Sequence, residues 1–233
     1  MQKKNPKRFP HKKAPVAGTQ KHVHSDNPAG LKNVCVYCGS GSGSDPAYSN
    51  SAKILGRDLA NAGIGLVYGG GGLGLMGEVA RTTIKNGGRV TGIIPTFLSE
   101  LEHMLKEVDE LILTSDMHER KKLMFEKSDA FIALPGGIGT MEELVEQLTW
   151  SQLGQHKKPV VIANIKGYWT PFLDLITHMK EQKFIREELN VRLSIVDNAN
   201  DILPCVIAAH EAASKDTTIE AAKIGKSKVI AKM

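Results

Sequence analysis

Residues 130–148 read AFIALPGGIGTMEELVEQL, a strand, a turn and a helix start in one line. The apolar run Ala130-Phe131-Ile132-Ala133-Leu134 is long enough for a buried parallel strand and too short for a helix. Pro135 stops the ladder, and Gly136, Gly137 and Gly139 allow a tight turn with close backbone approach to a ligand. A helix is expected from Thr140, with Met141, Leu144, Val145 and Leu148 on its apolar face. Such a break leaves backbone N–H groups unpaired and pointing outward, which suits an anion and above all a phosphate. Glu143 has two readings here. Thr140 and Glu143 fit a capping box, in which each satisfies the other's backbone donor; or Glu143 does chemistry beside the anion.

Working outward, the same strand–turn–helix unit recurs. Strands are expected at residues 33–38, 65–68, 89–94, 110–113, 130–134, 159–165 and 193–196. Helices are expected at 46–62 behind the cap Asp45, at 76–86, after Asp116, from Thr140, at 171–182 and at 199–214. Gly63 and the pair Gly87-Gly88 supply the helix stops. The alternation implies an α/β fold, a doubly wound, Rossmann-like parallel sheet of about seven strands with helices on both faces. Ligands of such sheets sit outside the carboxyl ends of the strands. Three glycine-rich turns follow strand ends, around Ser40, around Gly70 and Gly71, and at Gly136.

The 233 residues carry a net charge of +5, unevenly placed. Residues 1–32 hold eight Lys/Arg against one acid, and the remaining 22 basic and 24 acidic residues nearly cancel. The expected organisation is a basic, disordered tail over 1–32, a single α/β domain over 33–215 and a weakly structured C-terminal tail over 216–233. The basic tail suits solubility or weak polyanion contact and is expected to be dispensable, with no specific nucleic-acid partner. It has no apolar core of a secretion signal, and no run approaches membrane-spanning length, so a cytoplasmic location is expected. Three cysteines, an odd number, suit a reducing compartment. Cys35 and Cys38 lie three apart on one strand, so they face opposite sides of the sheet and cannot act as a dithiol. No metal-ligand spacing is present.

Gly72-Leu73-Gly74-Leu75-Met76-Gly77 matches G-x-G-x-x-G, but the next strand ends Ile93-Ile94-Pro95-Thr96 without the acid that a dinucleotide ribose needs. No P-loop motif occurs. Asp116 and Glu119 again have capping-box spacing, which sets Arg120 and Lys121 in the first turns of a helix. Cations there oppose the helix dipole at a cost of about a few tenths of a kcal/mol, a placement that makes sense facing an anion.

Met117-His118-Glu119-Arg120-Lys121, followed by Pro135-Gly136-Gly137-Ile138-Gly139-Thr140-Met141-Glu142-Glu143, resembles the paired signature of the LONELY GUY family. The similarity extends over about residues 33–210 and includes Cys38-Gly39-Ser40, Tyr68-Gly69-Gly70-Gly71 and Gly74-Leu75-Met76-Gly77. The resemblance implies a homodimeric hydrolase without cofactor that cleaves the N-glycosidic bond of nucleoside 5′-monophosphates, cytokinin riboside monophosphates and AMP among them. It implies Arg120 and Glu143 as the essential pair. It further implies substrate contacts at Glu102, Lys121, Thr149 and the turn Gly137, Ile138, Gly139, Thr140, Met141, Glu142; Gly136, Ser40, Gly70 and Gly71 are added from the glycine turns. Two other readings stand beside it: a noncatalytic nucleotide or cofactor carrier, and a pyridoxal-dependent decarboxylase, for which no strand-end lysine offers an anchor.

Overall fold

The computed structural model describes residues 7–10, 30–99, 101, 103–185 and 193–230. Among the described residues seven parallel strands, β2 (Asn33–Tyr37), β3 (Gly65–Tyr68), β4 (Val90–Pro95), β5 (Glu110–Thr114), β6 (Ala130–Ala133), β7 (Val160–Ala163) and β8 (Leu193–Val196), form one sheet. β1 (Lys7–Pro10) adds an antiparallel edge strand, so the order is β1-β5-β4-β3-β2-β6-β7-β8. The chain winds outward from β2 through β5, then returns to β6 and winds the other way. The reversal falls between β2 and β6, paired in the register Val36↔Ile132. That is the crevice where open α/β sheets bind ligands.

Six α-helices among the described residues cover the sheet: α1 (Pro46–Asn61), α2 (Gly74–Lys85), α3 (Met117–Glu126), α4 (Ile138–Gln152), α5 (Thr170–Glu181) and α6 (Ile202–Ile230). Local chemistry sets their ends. Asp45 accepts from the Ala47 N–H at 2.8 Å to start α1. Gly63 (φ 68°) and Gly87 (φ 78°) end α1 and α2 with the paired 6→1 and 5→2 bonds of a Schellman turn, Ile64 N–H to Leu59 O and Gly88 N–H to Thr83 O among them.

The two faces of the sheet bury two apolar clusters, and alternation along β2 sorts its residues between them. Val34, Val36 and Cys38 join the cluster with Leu55, Val79 and Ile132, whereas Cys35 and Tyr37 join the one with Phe131, Leu144 and Trp169. The two thiols therefore stand buried on opposite faces, as strand geometry requires, and form no disulfide.

Within residues 1–32, the backbone of β1 completes the sheet edge beside β5. Three expectations need correction. α6 runs to Ile230, past the expected end at Ser214. α4 begins at Ile138 with Gly137 as its N-cap, two residues before Thr140. Thr140 and Glu143 are therefore interior to the helix, and the capping-box reading of Glu143 falls. Nor are all four expected apolar positions of α4 in the core. Leu144 and Leu148 are buried, but Met141 and Val145 are 39% and 41% exposed.

Candidate active site

Helix starts below the carboxyl edge differ in how their N–H groups are used. α1 is capped by Asp45. At α2 the Leu75 and Met76 N–H groups both donate to the Gly39 carbonyl, at 3.0 and 3.2 Å. The G-x-G-x-x-G turn is thus occupied by the neighbouring loop, with Gly74 (φ 55°) packed on the Ser40 backbone; these glycines serve packing. α3 is capped by Asp116, which accepts from the Glu119 N–H at 2.9 Å, while the Glu119 carboxylate takes the Ser115 N–H at 2.7 Å. That backbone bond from Glu119 holds the Asp116 carboxyl below the usual range. α4 begins on Gly137 with no side-chain cap. Its first N–H groups carry the partial positive charge of a helix end.

Beside this start lies a cleft of about 300 Å³ lined by Tyr37, Ser40, Gly69, Met117, Arg120 and Glu143, with Gly137, Ile138, Gly139, Thr140 and Glu142 along one wall. Arg120 and Glu143 are both buried, 6% and 8% exposed. They approach from different helices, α3 and α4, to 3.7 Å between Nη2 and Oε1. Arg120 is fixed from behind: Nε donates to the Ile93 carbonyl at 3.2 Å and Nη2 to that of Gly69 at 3.4 Å. A Cβ at Gly69 would overlap the guanidinium and displace it. The pair is thus a preorganised cation and anion at the topological switch, next to uncapped backbone donors. It can place negative charge near an electron-poor carbon while offering N–H donors to a departing anion.

Of the other expected contacts, Ser40, Gly137, Ile138, Gly139, Thr140 and Glu142 reach the cleft. Gly136 sits behind the turn, where Thr140 leaves no space for a Cβ. Gly69 rather than its neighbours lines the cleft; Gly70 accepts from the Leu105 N–H at 3.0 Å and Gly71 bridges Met104. Met141 faces an apolar groove outside. Thr149 donates to its own helix at Val145 O, 2.8 Å, and lies on the exposed side. Lys121 is held by Glu142 at 2.6 Å and Glu146 at 3.1 Å, so its ammonium answers carboxylates of α4 rather than an open anion site. Burial, the largest single influence on that ammonium, pulls its pKa down, but the hydrogen bonds to Glu142 and Glu146 outweigh it and the net shift is upward. Glu102 falls outside the described residues. Among the described residues no group of three or more His, Cys, Asp and Glu side chains is placed to hold a metal.

Tyr37 was not legible as a site residue. The residue forms part of the cleft lining, and burial, reinforced by the nearby Cys35 and Glu143, pushes its pKa well up, so it stays a neutral O–H. On a strand reading it is simply an alternating core position. Burial and then the Glu143 charge likewise push the Cys35 thiol up, which keeps it unreactive.

Fold and cleft together define a Rossmann-like protein with a helix start that lacks a side-chain cap and a buried arginine–glutamate pair. A family model described as "Possible lysine decarboxylase" matches residues 76–206. The "Cytokinin riboside 5'-monophosphate phosphoribohydrolase LOG1" of Arabidopsis thaliana is 40% identical over 200 residues, 84% of this chain and 94% of that protein. The rice (Oryza sativa subsp. japonica) protein "Cytokinin riboside 5'-monophosphate phosphoribohydrolase LOG" is 48% identical over 158 residues, 68% of this chain and 65% of its own length. Among solved structures, the molybdenum cofactor carrier protein of Chlamydomonas reinhardtii superposes with a TM-score of 0.58 at 20% identity, over 77% of this chain and 98% of that one, a likeness of fold alone. The chain belongs to the LONELY GUY family.

Proposed function

We propose that this chain is a phosphoribohydrolase that releases the free base and ribose 5-phosphate from purine nucleoside 5′-monophosphates, with cytokinin riboside monophosphates, AMP or both as substrates. The observation that carries the proposal is the buried Arg120–Glu143 pair set beside an uncapped helix start in one cleft. The N–H groups at the start of α4 take the 5′-phosphate. Cleavage of the C1′–N9 bond passes through an oxocarbenium-like state, as glycoside hydrolysis does. The Glu143 carboxylate stabilises that cation or activates the water that adds to C1′. Arg120 faces the negative charge gathering on the departing purine, which leaves with a proton. The names of the family members named above support the cytokinin substrate; the AMP reading rests on the phosphate and purine chemistry alone. A base-release assay over a panel of monophosphates, run beside the unphosphorylated nucleosides, tests the proposal. Equal turnover of AMP and adenosine would remove the phosphate assignment.

A homodimer is part of the same proposal. Ile138, Met141 and Val145 make an apolar stripe on α4 that is 82%, 39% and 41% exposed, and Leu175 of α5 is 48% exposed across the adjacent groove. A second copy seated there would cover surface that a monomer leaves wet. Light scattering of the purified chain and of a Val145→Glu variant tests it: twice the chain mass for the first, and dissociation of the second. The odd number of cysteines suits a reducing, cytoplasmic setting for the chain.

A further inference from the structure

Tyr168 stands outside the cleft, yet it touches the turn that shapes it. It follows a short 3-10 turn, Ile165–Gly167, in which two consecutive residues are left-handed, Lys166 (φ 55°) and Gly167 (φ 71°). A non-glycine residue in that region costs about 1–2 kcal/mol, so the surroundings must enforce it. They do so through Asn164, whose side chain accepts from the Trp169 N–H at 2.8 Å and donates to Asp197 at 3.0 Å. Edge-on contacts to Tyr48 and Trp169, centroids 5.6 and 5.2 Å away, hold the Tyr168 ring. At its tip the hydroxyl donates a short hydrogen bond to the carbonyl of Gly136.

The carbonyl of Gly136 and the N–H of Gly137 belong to one trans peptide plane and point in opposite directions. Gly136 and Gly137 have no side chains to restrict that plane, so it is free to flip unless something grips it. Gripping the carbonyl from the Tyr168 side turns the Gly137 N–H to the other side, and Gly137 lines the cleft while Tyr168 does not. The grip also draws a carbonyl oxygen, which would repel an anion, out of the way. We infer that Tyr168 is a positioning residue of the phosphate-binding turn, acting through the Gly136–Gly137 peptide; this rests on the function proposed above.

The test compares binding of AMP and adenosine by calorimetry, in the wild type and in Tyr168→Phe, which keeps the ring and loses only the hydroxyl. A net hydrogen bond of ordinary strength predicts that the AMP-to-adenosine affinity ratio falls about 3- to 10-fold in the variant. Loss of a merely structural contact would weaken both ligands alike and leave the ratio unchanged, which overturns the inference. If the wild type itself does not prefer AMP, the phosphate site fails and this inference with it. Gly167→Ala provides a second route: a Cβ at φ 71° strains the turn and displaces the tyrosine, so the ratio should fall in the same direction. An unchanged ratio in a folded Gly167→Ala protein also counts against the proposal.

Discussion

Exchanging one oxygen for nitrogen at Glu143 separates charge from shape. Because Gly137, not Thr140, caps α4, the Glu143→Gln substitution removes no capping bond. It is expected to lower base release by about two to four orders of magnitude while nucleotide binding persists through the backbone donors. Single-turnover assays with a parallel binding isotherm read both, and near-normal turnover would make this carboxylate structural. Gly69→Ala makes a complementary prediction. Its Cβ would overlap the Arg120 guanidinium, so turnover should drop strongly in a protein that still folds, as judged by circular dichroism. At this scale the sequence is legible where a residue type is costly to place without purpose. Arg120 and Glu143 stand out on those grounds, whereas Tyr37 and Tyr168 do not, because aromatic residues are ordinary fillers of a sheet and its loops.

Between elements, the decisive contact is the clamp that ties α3 to α4. Lys121 and Arg120 are consecutive on one helix, and their partners Glu142 and Glu143 are consecutive on the other. Cations in the first turns of α3 therefore do face anions, but those anions belong to the protein. Replacing Lys121 by Met would leave Glu142 and Glu146 facing each other and loosen the frame that holds Arg120 against Glu143. The expected outcome is a kcat lowered about tenfold, a loss of roughly 1.4 kcal/mol of transition-state stabilisation, with partial rescue by Arg; steady-state kinetics of the two variants decide it. Elements themselves were largely readable from local chemistry. Asp45, Asp116, Gly63 and Gly87 mark ends that the structure keeps. The start of α4 was not readable, since Gly137 caps without a side chain, and neither was the outward turn of Met141 and Val145. A helix with apolar residues on two faces gives no local sign of which face meets the sheet.

Over the whole molecule, the seven parallel strands follow from the alternation of short apolar runs and glycine turns. The eighth does not, because β1 has no apolar pattern and pairs with residues far along the chain. Stability should also respond to pH through His156. Its Nδ1 accepts from the Lys158 N–H at 3.1 Å and its Nε2 lies 3.1 Å from the Gln147 carbonyl, so the neutral ring satisfies both. Burial lowers its pKa from 6.5. The unfolded chain then binds the proton more readily than the folded one. This contribution is complete above about pH 6.5 and is lost as pH falls from there toward the lower folded value. Urea unfolding at pH 7.5 and 5.5 should show a larger drop for the wild type than for His156→Gln.

β1 also has a consequence for the order of events during folding. Lys7 pairs with Leu113 and Pro10 with Glu110, so the first strand of the chain must wait for a partner far downstream. Closing so long a loop costs entropy before any ladder bond repays it, and local strand–helix units form sooner. The edge strand therefore zips on after the rate-limiting step. Contacts made that late govern the rate of unfolding rather than of folding. Deleting residues 1–12 is expected to steepen no refolding barrier and to leave that arm of the chevron in place, while the unfolding arm rises. Stopped-flow traces in which refolding slows instead would place this strand in the folding nucleus.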